Sequence, residues 1–243
     1  MKKIRFAIVK IGNIQHLSNL RMIKSWKSKL FEVNTLYSIE NLPQCNYQDG
    51  YLDMKYCKEE MADMISCPDD CDIAVGIMPY RFVDNFYMHR ITNNVAVISL
   101  YGIKDILDEN NISIDHFILK QLYELSSIKH ILPDISDNAV YDIIHLDTRG
   151  CLFDMNGDRR DILYNTESPV LCNACRAKFK SRQIQLGVIK NLDRELKRLR
   201  KPVFMRIELW IKKYPFVSLL LSALVTILLS VAANFMSEWC MNI

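Results

Sequence analysis

The chain has 243 residues, half of them hydrophobic and 24 % charged, too apolar for a disordered segment and long enough for one sizeable domain or two small ones. Its net charge of +3 conceals three parts: residues 1–175 hold 18 Lys and Arg against 24 Asp and Glu, residues 176–213 hold 13 against 3, and residues 214–243 hold Glu238 alone. Only seven glycines are present, and the phosphate-cradling patterns G-x-x-x-x-G-K-[ST] and G-x-G-x-x-G are absent, as is G-x-S-x-G, which argues against nucleotide hydrolysis.

The opening IRFAIVKI is rich in β-branched and aromatic residues and bounded by Gly12. It predicts a first strand and not a secretory signal, because Lys10 interrupts its apolar run. A helix of about 15 residues is expected around residues 17–29, followed by FEVNTLYSI, which alternates in period two as a half-buried strand does. After a polar stretch with two turns, residues 58–65 form a short helical candidate. Residues 72–78 (DIAVGIM) are then a continuous apolar run of the kind a sheet buries on both faces. Residues 86–91 and 95–100 flank Thr92-Asn93-Asn94, a hairpin composition. The order β-α-β-α-β and then an antiparallel hairpin predicts an α/β domain, a mixed sheet with packed helices.

Ser113 caps a strong helix over residues 114–132, in which Ile114, Phe117, Ile118, Leu122, Leu125 and Ile128 recur at three and four residues until Pro133 ends it. A second long helix follows residue 178 and carries Ile189, Leu192, Leu196, Leu199 and Val203 among basic residues. Their spacing is that of a coiled-coil seam lasting barely two heptads. Two readings stand: a basic stalk through which residues 189–203 form a homo-oligomer, and a helix that folds back on its own domain.

Between the two helices lies the most informative segment, residues 145–176. Cys172 and Cys175 form a C-x-x-C knuckle, and Cys151 lies upstream. Three thiolates can converge if the chain loops back, and His145 is the fourth ligand that zinc needs. A closed Cys3His set has no open position and would be structural, not catalytic. Asp147, Asp154 and Asp158 share the segment, but hard oxygen donors suit a thiolate site poorly, and turn capping is the expectation for them. Cys67 and Cys71, with Cys57, form a weaker candidate for a second site.

In its order of elements and its cysteine loop the chain resembles the archaemetzincin family of zinc metallopeptidases. That family carries HExxHxxGxxHC on its helix, and holds a second, structural zinc by the last cysteine of that motif, another about five residues on and a C-x-x-C roughly twenty later. Cys151, Cys172 and Cys175 match the last three of those cysteines. The resemblance implies a zincin-like fold over residues 1–176 and a structural Zn2+. It does not imply the chemistry. A catalytic zinc on a helix needs two histidines at i and i+4 with a glutamate beside the first, whereas the best register here, Tyr123-Glu124-Leu125-Ser126-Ser127, keeps only the glutamate. His116 and His130, fourteen residues and about 21 Å apart along the axis, cannot substitute.

From Tyr214 to Ser237 no residue is charged, and about 23 apolar residues of helix reach about 35 Å, enough for a bilayer core of about 30 Å. Trp210, Tyr214 and Trp239 stand where interfacial aromatics belong, and Lys201, Arg206, Lys212 and Lys213 precede the run. The expectation is a single-pass membrane protein with its N-terminal domain cytoplasmic: 1–176 the zincin-like domain, 177–213 a basic amphipathic helix, 214–236 a transmembrane helix, 237–243 a short tail across the membrane. Thiols on the cytoplasmic side stay reduced, Cys240 excepted. Membrane lipid is the partner expected for the basic residues, and nucleic acid is disfavoured because they abut the span. The expected function is a membrane-anchored, non-catalytic pseudo-metallopeptidase domain, a sensor or membrane effector acting through an unknown ligand or protein partner. The alternative is a membrane-anchored zinc-dependent hydrolase using Glu124.

Overall fold

A computed structural model describes every residue except 1, 15–17, 19, 43, 44, 46, 49–53, 200–206, 208, 209, 212, 213, 242 and 243, and the side chains of 47, 48, 232 and 234–241. In chain order the elements are β1 (Ile4–Ile11), α1 (Leu20–Ser25), β2 (Phe31–Ile39), β3 (Tyr47–Gln48), β4 (Met54–Tyr56) and α2 (Lys58–Met64). They continue with β5 (Ile73–Met78), β6 (Arg81–Phe82), β7 (Met88–Arg90), β8 (Val95–Ser99), α3 (Ile103–Glu109) and α4 (Ile114–Ile131). The last are α5 (Asp137–Val140), α6 (Ile162–Glu167), α7 (Asn173–Ser181), α8 (Leu186–Leu196) with a 3-10 turn Lys197–Leu199, and α9 (Pro215–Met241).

The main sheet has the order β2-β1-β5-β8-β7. β2, β1, β5 and β8 run parallel and β7 pairs antiparallel to β8, so the sheet is mixed as expected. Every residue of β5 is buried, and the strand's two faces enter two cores. Ile73, Val75 and Ile77 join the core formed with α4 and α8. Ala74 and Met78 join a second core with Tyr56, Met61 and Phe82 under the small sheet β3-β4-β6. Gly76 lies between them because a Cβ there would stand 2.6 Å from Ile65 Cδ1 and 2.9 Å from Ile11 Cδ1.

α4 begins where the Ser113 hydroxyl accepts from the Asp115 N–H at 3.2 Å, and its next residue but one past the end is Pro133, which cannot continue the ladder. It is buried almost all round, polar residues included. The helix expected over 17–29 is shorter: α1 covers Leu20–Ser25, residues 15–17 and 19 lie outside the described residues, and Ser28 leaves the helix to donate to Glu195.

The chain divides into two compact units, Met1–Arg200 and Lys201–Ile243. The first therefore runs past the boundary expected at 176. α7 and α8 belong to it because Phe179, Ile189, Leu192, Leu196 and Leu199 are all buried in the same core as α4. Of the two readings of residues 189–203, four of the five seam residues follow the helix that folds back on its own domain, while Val203 lies outside the described residues. In the second unit α9 spans 27 residues. Side chains are described without interruption only over its residues 215–231, about 26 Å of helix, and among the described residues no helix is long and apolar enough to cross a membrane.

Candidate metal centre

The loop from α5 to α7 is organised by isolated pairings. His145 pairs with Asp154 and Cys151 with Val170, and the His145 N–H donates to the Phe153 carbonyl at 2.9 Å. Asp154 holds the turn between them by accepting from the N–H groups of Arg149 at 2.8 Å and Cys151 at 2.9 Å. Gly150, at φ +71, takes the left-handed conformation that presents Cys151 inward. Cys172 is the N-cap of α7, its sulfur accepting from the Cys175 N–H at 3.4 Å. The C-x-x-C knuckle thus sits on a helix N-terminus, where unpaired N–H groups favour thiolate.

The donor atoms of His145, Cys151, Cys172 and Cys175 all lie within 4.8 Å of one another. His145 Nε2 is 3.0 Å from Cys175 Sγ and 3.2 Å from Cys172 Sγ, and the Cys151 and Cys175 sulfurs are 3.8 Å apart. A tetrahedral zinc, about 2.3 Å from sulfur and 2.0–2.1 Å from imidazole nitrogen, sets edges of about 3.8 Å between sulfurs and about 3.5 Å between sulfur and nitrogen. The set fits. His145, Cys151 and Cys175 are buried and Cys172 is half-buried, so four soft donors close around one point and a structural zinc matches both geometry and chemistry. A hydrogen bond between the two sulfurs lowers the Cys151 thiol against its burial, and the same bond together with burial raises Cys175. A buried thiolate is the ligand form a metal requires.

Asp154 and Asp158 hold turns, while Asp147 is an exposed partner of an arginine. Asp158 accepts from the Arg160 N–H at 2.9 Å, and Asp147 pairs with Arg149 Nε at 2.6 Å. The weaker cysteine candidate does not assemble. Cys67 donates to the Cys71 carbonyl at 3.6 Å and Cys71 to Asp70 at 3.6 Å, while Cys57 caps α2. Burial pushes Cys67 up to about 11, which keeps it a thiol. Among the described residues the His145 group is the only metal-competent one.

The degenerate register on α4 is occupied by other interactions. Tyr123 is fully buried; its hydroxyl accepts from Trp26 Nε1 and donates to Glu195 Oε2, both at 2.9 Å. Glu124 is 2 % exposed and is engaged by Arg90 Nη2 and, at 2.9 Å, by Lys120 Nζ. The carboxylate is thus held between two buried cations, and these contacts account for it as a structural ion. Arg90 reaches on to Asp137 at 3.3 Å, and Asp137 is also met by Lys58 at 2.7 Å and by His89 Nδ1 at 3.2 Å. This ionic chain was not read from the sequence; its one local signal is Lys120 and Glu124, four apart on an apolar helix.

No family model matches the sequence, and no curated protein matches it. Among solved structures, the crystal structure of archaemetzincin from Methanopyrus kandleri is similar to 74 % of this chain and 96 % of that one, with 14 % identity and a TM-score of 0.47. It belongs to the family that the cysteine segment resembles.

Proposed function

We propose that the chain is a non-catalytic, membrane-tethered domain of metallopeptidase-like architecture, stabilised by one structural zinc on His145, Cys151, Cys172 and Cys175, that acts as a sensor or membrane effector. The observation that carries this reading is the pairing of a closed Cys3His cluster with an α4 register whose Tyr123 and Glu124 are consumed by internal hydrogen bonds. Zinc, when bound, supplies a cross-link whose binding energy adds to folding. A cleft of about 330 Å³ lined by Lys58, Asp84, His89, Arg90, Asp137 and Tyr141 is the place for a small ligand or a partner's side chain.

The membrane part rests on the sequence. Twenty-four consecutive uncharged residues, 214–237, bracketed by aromatics and preceded by Lys201, Arg206, Lys212 and Lys213, favour a span with residues 1–200 on the cytoplasmic side. The flanking basic residues and the side chains of Trp239 and Cys240 lie outside the described residues.

Two measurements on the purified full chain test the proposal. About one tightly held zinc per chain, without peptidase activity, supports the first part; a second, labile zinc linked to proteolysis overturns it. Retention of the chain in vesicles after alkaline washing supports the second part, and release by alkali removes the span.

A further inference from the structure

The groove between α7 and α8 is lined by Arg176, Lys180, Ile189, Lys190, Arg194 and Lys197 and encloses about 550 Å³. Ile189, 8 % exposed, lines its floor, and Leu186 at its mouth is 73 % exposed. Its rim is cationic. Two acidic residues lie on these helices, and both are occupied. Asp193 receives two bonds of 2.6 Å from Arg176. Glu195 points into the core, where the Ser28 and Tyr123 hydroxyls donate to it. Among the described residues no carboxylate answers Lys180, Lys190 or Lys197, and all three are exposed.

An exposed face with several unanswered cations over an apolar strip has the chemistry of an anionic amphiphile's counterpart. We infer that the α7–α8 groove docks on the surface of an anionic phospholipid bilayer, with phosphate-bearing headgroups between Lys180, Lys190, Arg194 and Lys197 and Leu186 entering the interface. This deepens the tether proposed above. The chain leaves the face at Leu199, and residues 200–213 alone separate it from the uncharged run. A bilayer is favoured over nucleic acid because the exposed Leu186 and the apolar floor have a place in a lipid interface and none on a phosphate backbone. Each basic residue held at an anionic surface strengthens association by about fivefold, within a Debye length of about 8 Å.

Lysine acetylation footprinting on the full chain tests the inference, using vesicles of phosphatidylcholine alone and vesicles enriched in phosphatidylserine. The expected result is that Lys180, Lys190 and Lys197 react severalfold more slowly on the anionic vesicles, that high salt removes the protection, and that Lys104, which pairs with Asp108 and does not line the groove, is unchanged. Equal reactivity of the three lysines on both vesicles overturns it. So does equal protection by a DNA duplex without lipid, which makes nucleic acid the occupant. If alkali strips the chain from neutral vesicles, the span fails separately; salt-sensitive binding to anionic vesicles with the same three lysines protected would still support the groove.

Discussion

The Tyr123 hydroxyl donates to Glu195 Oε2 at 2.9 Å, and this bond ties the middle of α4 to the last helix of the first unit. Glu195 also accepts from the Ser28 hydroxyl at 2.6 Å and the Lys29 N–H at 2.9 Å. Among the described residues, three donors and no cation meet a carboxylate that is 4 % exposed.

Replacing Glu195 by alanine strands those donors in the core. Glu195→Ala should cost about 3 kcal/mol, and Tyr123→Phe, which removes one bond and leaves the carboxylate two, about 1–2 kcal/mol. Urea titration followed by tryptophan fluorescence measures both. Equal, negligible losses would mean that α8 is not held at this point.

The zinc cluster makes a selective prediction. Cys175→Ser should lower bound zinc severalfold and destabilise the domain strongly, structural zinc in small sites contributing on the order of 10 kcal/mol. Cys67→Ser, at a thiol that donates only to carbonyls, should leave zinc content unchanged. The check is metal analysis beside a melting curve. Unaltered zinc in Cys175→Ser would remove the site.

Glu124 is a structural ion here. Glu124→Gln should cost about 3–5 kcal/mol by leaving Lys120 without a counter-charge in the interior and Arg90 with Asp137 alone. Glu124→Met combined with Lys120→Met removes both members of one pair and should be less damaging than Glu124→Gln alone. Chemical denaturation of the three proteins decides. A stable Glu124→Gln variant that loses a hydrolytic activity would reinstate the catalytic reading.

The buried face of α8 sets the outcome for its leucines. Leu192 is fully buried, so Leu192→Ala should cost about 2–5 kcal/mol and act on folding at any protein concentration. Stability that varies with concentration, and a variant that merely dissociates, would restore the intermolecular seam.

Acid should weaken the first unit through Asp72. Burial raises its pKa, but hydrogen bonds and charge from Arg5 outweigh this and hold it at about 2, below the ordinary 3.8. The contribution is present above pH 3.8 and is lost as pH falls toward 2. The melting temperature should drop across that window, and Asp72→Asn should lower it at neutral pH while flattening the acid limb. An Asp72→Asn variant with the parent's pH profile would contradict this.

Local pattern made much of the molecule legible. β-branched and aromatic content marked β1, period two marked β2, a hairpin composition marked β8, three-four periodicity with Ser113 and Pro133 delimited α4, and the C-x-x-C with Cys151 and His145 named a cluster whose four donors the structure gathers within 4.8 Å. These signals lie within one element or one loop, where backbone geometry and ligand chemistry constrain spacing directly. Others required the fold. Ile189, Leu192, Leu196 and Leu199 have the same spacing whether a helix zips to a second copy or packs on its own core, because both bury one stripe; only the position of α4 settled that they do the latter. Glu124 reads as a catalytic remnant until Arg90, 34 residues away on β7, is brought against it, since an ion pair between elements leaves no trace in the spacing along either one. Sequence determined which residues could bind metal or bury themselves; tertiary structure decided which charges and apolar stripes were already answered within the chain.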